Sequence, residues 1–151
     1  MKRFWLIMFL SIIIFVTIGV NNGLFGNLLL DIGGVEYTYY VATYKDLGIN
    51  CKRVEDLKIY DLGNNVDFLK WDDEDIVAEI IEFEKSSYDM IKYFKNLKCV
   101  LVEELEDVMF IYLYDSSLPK ILEVKGVCFN LQVAVSNNIV KVGYPCMVDT
   151  I

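Results

Sequence analysis

The feature that most constrains this chain is an uncharged apolar run at its N-terminus, FWLIMFLSIIIFVTIGV at positions 4–20, directly preceded by Lys2 and Arg3. At ~1.5 Å per residue, a helix of this length covers about 25 Å, which is close to the apolar thickness of a bilayer. The run has no polar face, so it cannot form the surface helix of a soluble domain. It predicts a transmembrane anchor or a signal peptide.

These two interpretations of residues 4–20 differ in whether the segment is removed. Signal peptidase prefers small residues at both outer positions of an A-x-A pattern. The candidates here, IGV at 18–20 and LFG at 24–26, do not meet this preference, so an uncleaved anchor is favoured. Lys2 and Arg3 hold the N-terminus in the cytoplasm. We therefore predict a single-pass protein of the cell membrane with its domain outside, or a secreted protein if the signal is cleaved. The glycine- and asparagine-rich residues 21–34 are predicted to be a tether.

Charge and the absence of histidine limit the chemistry of the domain. The chain has 22 acidic and 14 basic residues, a formal charge of −8 and no histidine. Phosphate binding needs a basic surface, so we predict no nucleic-acid partner. Histidine is the commonest general base near neutral pH and the commonest transition-metal ligand. Ser-His-Asp and Cys-His catalysis are therefore excluded.

Hydrophobic periodicity predicts a single α+β domain over residues 35–151. Residues 72–97 place apolar side chains at spacings of four and three, which predicts a long amphipathic helix. Residues 35–47 follow a similar spacing and are predicted to form a shorter helix, although their tyrosine and β-branched content favours a strand. Residues 50–62 predict a strand that ends in a turn at Gly63. Further short runs predict an antiparallel sheet packed against the long helix; they are residues 98–103, 108–114, 120–125, 127–135 and 139–144.

The acidic residues at positions 72–75, together with Glu79, are a candidate cation site. An EF-hand loop requires alternating carboxylates, a central glycine and a distal glutamate, and this pattern is absent. We predict instead that they cap the long helix, whose N-terminus favours negative charge. No catalytic, cofactor-binding or metal-binding residue is predicted, and no cofactor.

Four cysteines, Cys51, Cys99, Cys128 and Cys146, occur in a domain predicted to be exported. An even count permits disulfides, and four cysteines allow three pairings. They can equally be isolated free thiols. No pair has C-x-x-C spacing, so neither thioredoxin-like chemistry nor a zinc ribbon is supported.

The C-terminal residues 125–151 carry a recognisable pattern. It consists of Asn130, Leu131, Gln132, Val133 and Ala134, followed by Gly143 and Pro145. This pattern resembles the closing region of the YwmB-like family of exported Firmicute proteins, and residues 44–48 followed by the strand at 57–60 resemble its opening. The resemblance implies an extracytoplasmic α+β domain similar in fold to the TATA-box binding protein, with no catalytic residues to carry over. DNA binding conflicts with the acidic charge.

Three functional hypotheses follow. The first is a membrane-tethered or secreted, non-enzymatic binding or structural module of a bacterial cell envelope, which contacts the membrane through residues 4–20 and takes an envelope protein or glycan as partner. The alternative is an envelope glycan hydrolase with a carboxylate pair, because such chemistry needs no histidine. The third is a thiol-dependent redox or assembly factor that uses the four cysteines.

Overall fold

The structure is a computed structural model that describes residues 36–64, 75–84 and 97–148. Within these residues the chain forms strands rich in β-branched and aromatic side chains, the types that fit a pleated surface. In chain order the ten strands of the described residues are β1 (Tyr37–Thr43), β2 (Lys52–Val54), β3 (Leu57–Asp61), β4 (Ile76–Glu84), β5 (Lys98–Leu105), β6 (Val108–Tyr114), β7 (Leu122–Val124), β8 (Val127–Phe129), β9 (Leu131–Val135) and β10 (Ile139–Tyr144).

Eight of the described strands form one antiparallel sheet in the order β2-β3-β1-β4-β10-β9-β6-β5, while β7 and β8 form a separate hairpin. Two-residue turns join β2 to β3, β5 to β6 and β7 to β8, and the first residue of each turn has a positive φ: Glu55, Glu106 and Lys125. Few side chains adopt this conformation readily, and tight hairpins require it.

One side of the sheet, the core face, carries the main apolar cluster. Neighbouring strands place Val41 and Tyr39 of β1, Ile81 of β4, Val142 of β10 and Val133 of β9 on this face. All five are almost fully buried. Because side chains alternate along a strand, the intervening residues lie on the opposite side. This opposite side, called the strap face below, is defined by Tyr40, Ala42, Ala78, Ile80, Phe110, Tyr112, Gln132 and Gly143.

The α+β prediction is wrong, because the described residues contain no α-helix. Residues 76–84, assigned to the long helix, are strand β4, which lies between β1 and β10. Its side chains are buried on both faces, with Ile81 in the main core cluster and Ala78 in the second cluster, so its apolar residues form a nearly continuous run that also matches helical spacing. The shorter predicted helix, residues 35–47, contains strand β1 instead. Its tyrosine and β-branched residues favour a strand. Residues 85–96 lie outside the described residues.

The strand predictions are largely confirmed. Strands β5, β6 and β10 overlap the predicted runs. Residues 50–62 were predicted as one strand, but they form the hairpin of β2 and β3, and the turn predicted after them follows β3, where Gly63 has φ +59°. Residues 127–135 were predicted as one strand, but the structure divides them into β8 and β9 at Asn130. The antiparallel arrangement is also confirmed.

The prediction of a single-pass membrane protein with a transmembrane helix receives a correction. No helix within residues 36–64, 75–84 and 97–148 has the length and apolar character needed to cross a bilayer. Residues 4–20, on which the prediction was based, and the predicted tether at 21–34 lie outside the described residues.

Candidate binding site on the strap face

The chain leaves β10 through a cis Tyr144–Pro145 bond and returns across the sheet as residues 145–148, which we call the strap. A Cβ on Gly143 would lie 2.6 Å from both the Cys146 carbonyl carbon and the Met147 nitrogen, so the strap runs directly against this strand. The Met147 N–H donates a hydrogen bond of 3.0 Å to Gln132 Oε1. The Val148 side chain joins a second apolar cluster, formed with Ala42, Ile59 and Ala78.

On one side of the strap lies the Tyr40 cavity, with a volume of about 420 Å³. Burial raises the pKa of Tyr40, and the nearby carboxylates of Glu82 and Asp61 raise it further. The Tyr40 hydroxyl is therefore protonated at neutral pH and serves as a hydrogen-bond donor. Lys141 forms a 3.0 Å ion pair with Glu82, its register partner on β4. The lining residues are Tyr40, Asn50, Cys51, Lys52, Ile59, Asp61, Ile80, Lys141 and Met147.

On the other side of the strap lies the Glu103 cavity, of about 430 Å³. Strand register places Glu103 of β5 beside Phe110 of β6, and Tyr112 beside Gln132 of β9. The ring of Phe129, from the β7–β8 hairpin, meets Tyr112 edge-on with centroids 4.9 Å apart. The lining residues are Glu103, Glu104, Leu105, Phe110, Tyr112, Gln132, Met147 and Val148.

The Glu103 carboxylate has a fixed position in this cavity. Its Oε2 accepts a 2.9 Å hydrogen bond from the Tyr112 hydroxyl, and its Oε1 accepts from the Lys125 ammonium. These two donors hold the pKa of Glu103 below its usual range, with Lys125 the larger cause. Burial, followed by the hydrogen bond and charge of Glu103, raises the pKa of Tyr112. At neutral pH the cavity therefore presents an ionised carboxylate and a protonated phenol.

Of the candidate cation site, Asp75 and Glu79 lie within the described residues, which contain no group of three or more potential metal ligands. Glu79 lies on the core face, 3% exposed, and accepts a 2.7 Å hydrogen bond from the Tyr39 hydroxyl. Asp75 instead forms an ion pair with Lys45. The capping prediction fails because β4 begins at residue 76, and residues 72–74 lie outside the described residues.

All four cysteines lie in described residues and are free in this structure. Cys99 on β5 and Cys128 on β8 are exposed, Cys51 lines the Tyr40 cavity, and Cys146 is part of the strap. Burial raises the pKa of the Cys146 thiol, which lowers its thiolate fraction and its reactivity at neutral pH. Disulfide formation on oxidation stays a prediction.

The native reduced protein is therefore expected to react with a thiol reagent in a defined order. Cys99 and Cys128 should be modified first at pH 7.5, and Cys146 last, because its thiol is partly buried and burial raises its pKa. Mass spectrometry of tryptic peptides over an iodoacetamide time course measures this order. Unfolded protein in urea is the control, in which the four rates should converge. A native Cys146 that reacted as fast as Cys99 would contradict the placement of the strap.

The lowered pKa of Glu103 predicts a specific acid sensitivity. A carboxyl group whose folded-state pKa is depressed contributes stability above its unfolded pKa and loses that contribution as the pH falls through the folded-state pKa. Removing the Lys125 hydrogen bond should therefore flatten the stability curve below pH 4.5, the ordinary pKa of this carboxyl group. Urea unfolding of Lys125→Ala and Glu103→Gln from pH 6 to about pH 3 measures the effect. Curves parallel to that of the wild type would contradict it.

Sequence reasoning missed the residues that line the two cavities. Ten tyrosines are present, and strand register decides which of them face the strap. The available signal was the C-terminal pattern containing Gln132, Gly143 and Pro145. In the structure Gln132 holds the strap, and the hydrogen atom of Gly143 leaves it room.

Comparisons with known proteins give no relative: neither a family model, nor a curated protein, nor a solved structure matches the chain. The resemblance to the YwmB-like family therefore stays a prediction. The described residues form an antiparallel β-sheet, one face of which carries the strap and two cavities.

Proposed function

We propose that this chain is a non-enzymatic binding module that takes an extended polypeptide segment of a partner protein on its strap face. The observation that carries the proposal is the strap itself. Residues 145–148 are a short polypeptide segment that the same face already accommodates. A partner segment would lie beside it, with its side chains in the two cavities.

The contacts of the strap show how this face can hold a polypeptide. Gln132 accepts a hydrogen bond from a backbone N–H, and the apolar cluster around Ala42 receives the Val148 side chain. Peptide recognition commonly combines these elements, because main-chain hydrogen bonds supply affinity and pockets for side chains supply specificity.

The cavities match such a role in size and chemistry. Their volumes of about 420 and 430 Å³ fall within the roughly 300–1,000 Å³ typical of ligand pockets. Each combines a tyrosine ring with a small number of charged or amide groups. Aromatic side chains are enriched at protein interfaces because they offer a large apolar surface with a polar end.

The hydrolase alternative lacks an observation in its favour. A glycosidase needs one carboxylic acid whose pKa is raised, so that it can donate a proton to the leaving group. Glu103 has the best-defined surroundings of the cavity carboxylates, and its pKa is shifted in the opposite direction. This carboxylate suits binding a positive or hydroxyl group better than proton donation.

Selection from a phage-displayed library of random dodecapeptides tests the proposal. Peptides that bind the wild type should lose about thirty-fold in affinity, or ~2 kcal/mol, with Tyr40→Ser or Tyr112→Ser, because buried aromatic contacts dominate binding energies. Tyr44→Ser is the matched control, since Tyr44 is 65% exposed and lies outside both cavities. The variants Tyr40→Phe and Tyr112→Phe keep the ring and should retain most of the affinity.

Two outcomes would contradict the proposal. One is selected peptides that bind all of these variants equally, which would place binding elsewhere. The other is specific glycan hydrolysis by the purified protein that is abolished by Glu103→Gln, which would favour the enzyme instead.

A further inference from the structure

Building on the proposed polypeptide binding, we infer that the Glu103 cavity binds a lysine or arginine side chain of the partner segment. In this structure Lys125 of the chain's own β7–β8 turn does not line the cavity but contacts the same carboxylate.

The cavity is lined for a cation. Glu103 brings its carboxylate to it on the strap face, Glu104 follows Glu103 along β5, and no lysine or arginine is among the described residues that line it. Phe110 and Tyr112 add aromatic rings, whose faces attract ammonium and guanidinium groups. A long apolar stem with a charged end fits a cavity of about 430 Å³ that has aromatic walls and an acidic rim.

The Glu103 carboxylate is held in position independently of Lys125. The Tyr112 hydroxyl binds one carboxylate oxygen at 2.9 Å, which leaves the other oxygen for an incoming donor. Pre-organised acceptors of this kind bind cationic donors with little loss of side-chain freedom. Lys125 is the larger cause of the lowered pKa of Glu103, and the Tyr112 hydroxyl lowers this pKa as well, so a donor remains that favours the charged carboxylate.

Lys125 is well placed to be displaced. Its side chain is 68% exposed, whereas that of Glu103 is 27% exposed, so the ion pair lies at the surface. Exposed ion pairs contribute about 0–1 kcal/mol, because water screens them and a flexible side chain must be ordered. A partner cation that also gains contacts with Phe110 and Tyr112 would outcompete it. The formal charge of −8 further favours the approach of a basic segment.

The test uses two synthetic peptides, acetyl-Gly-Leu-Lys-Leu-Gly-amide and the same peptide with its lysine acetylated. Acetylation removes the charge and keeps the apolar four-carbon stem of the side chain, to which it adds a neutral acetyl group. Titration of the ¹⁵N-labelled protein, followed by ¹H–¹⁵N spectra, should show the charged peptide shifting amides of β5, β6 and β9 around this cavity. The acetylated peptide should bind about ten-fold more weakly.

Matched variants separate specific binding from general attraction. Lys125→Ala should tighten binding of the charged peptide about five-fold, because the internal competitor is removed. Lys45→Ala is its control: it makes the same charge change at an exposed ion pair with Asp75, outside both cavities. Glu103→Gln should weaken binding about ten-fold, whereas Glu84→Gln, at the exposed end of β4, should not.

The outcomes distinguish this inference from the proposed function. Equal binding of both peptides, or equal effects of Lys125→Ala and Lys45→Ala, would overturn the cation inference. If the selected library peptides lack basic residues and their binding still depends on Tyr40, the proposed function holds and the cation inference fails. Peptide binding that ignored Tyr40 and Tyr112 alike would contradict the proposed function itself.

Discussion

Replacing Asn130 with alanine is expected to lower the free energy of unfolding by about 3 kcal/mol, because buried polar groups that lose their partners cost ~1–3 kcal/mol each. Asn130 is completely buried between β8 and β9. Its Oδ1 accepts from the Asp115 N–H at 2.8 Å, and its Nδ2 donates to the Asp115 carbonyl oxygen at 2.7 Å. A longer bond of 3.4 Å from Nδ2 reaches the Leu118 carbonyl oxygen. Alanine would leave the Asp115 N–H without its acceptor and remove the Nδ2 donor, although the Asp115 carbonyl oxygen still accepts from the Leu118 N–H at 3.2 Å.

Urea unfolding at neutral pH measures this loss through the midpoint, with the slope unchanged. Asn138→Ala is the matched control, because Asn138 is exposed in the turn between β9 and β10. It should change stability by less than about 0.5 kcal/mol. A loss for Asn130→Ala as small as that of the control would contradict the packing of residues 115–118 against the sheet.

Replacing Gly143 with alanine is expected to displace the strap and lower stability by about 1–3 kcal/mol, the usual cost of overpacking. The added Cβ would lie 2.6 Å from the Cys146 carbonyl carbon and the Met147 nitrogen, which are backbone atoms that cannot rotate away. The hydrogen bond from Met147 to Gln132 should weaken. Both cavities should change shape as well, because Met147 lines each of them.

Hydrogen exchange at the Met147 amide, together with urea unfolding, measures this effect. Gly126→Ala is the informative control, because a Cβ there meets no atom within 4 Å while the φ of +77° still strains alanine. That variant should lose about 1 kcal/mol from backbone strain and leave exchange at Met147 unchanged. Unchanged exchange in Gly143→Ala would show that the strap does not press on β10.

The sequence predicted strands best where one face of the strand is solvated, or where turn-forming residues mark its end. The runs that became β5, β6 and β10 alternate or end at clear breaks, so their strands were predictable. Strand β4 was not, because its side chains are buried on both faces, Ile81 and Phe83 in the main core cluster and Ala78 in the second cluster, which removes the period of two. In β1, helical spacing was given more weight than tyrosine and β-branched content, and the latter proved decisive.

The candidate site was less accessible to sequence reasoning than the fold. Whether Tyr40 or Tyr39 faces the strap depends on strand register, which a shift of one residue would reverse. The role of Glu103 depends on Tyr112 and Lys125, which lie nine and 22 residues away in the chain. No local pattern encodes these contacts. The strap was not predicted, although Gln132, Gly143 and Pro145 belong to the C-terminal pattern described in the sequence analysis.

Backbone chemical-shift mapping with a library-selected peptide tests polypeptide binding on the strap face most directly. If a partner segment binds there, the largest shifts should fall on residues 145–148 and on the strap-face positions of β1, β4, β6 and β9, and should be lost in Tyr40→Ser or Tyr112→Ser. Shifts confined to the hairpin tips, with residues 145–148 unperturbed and binding retained in both variants, would contradict it.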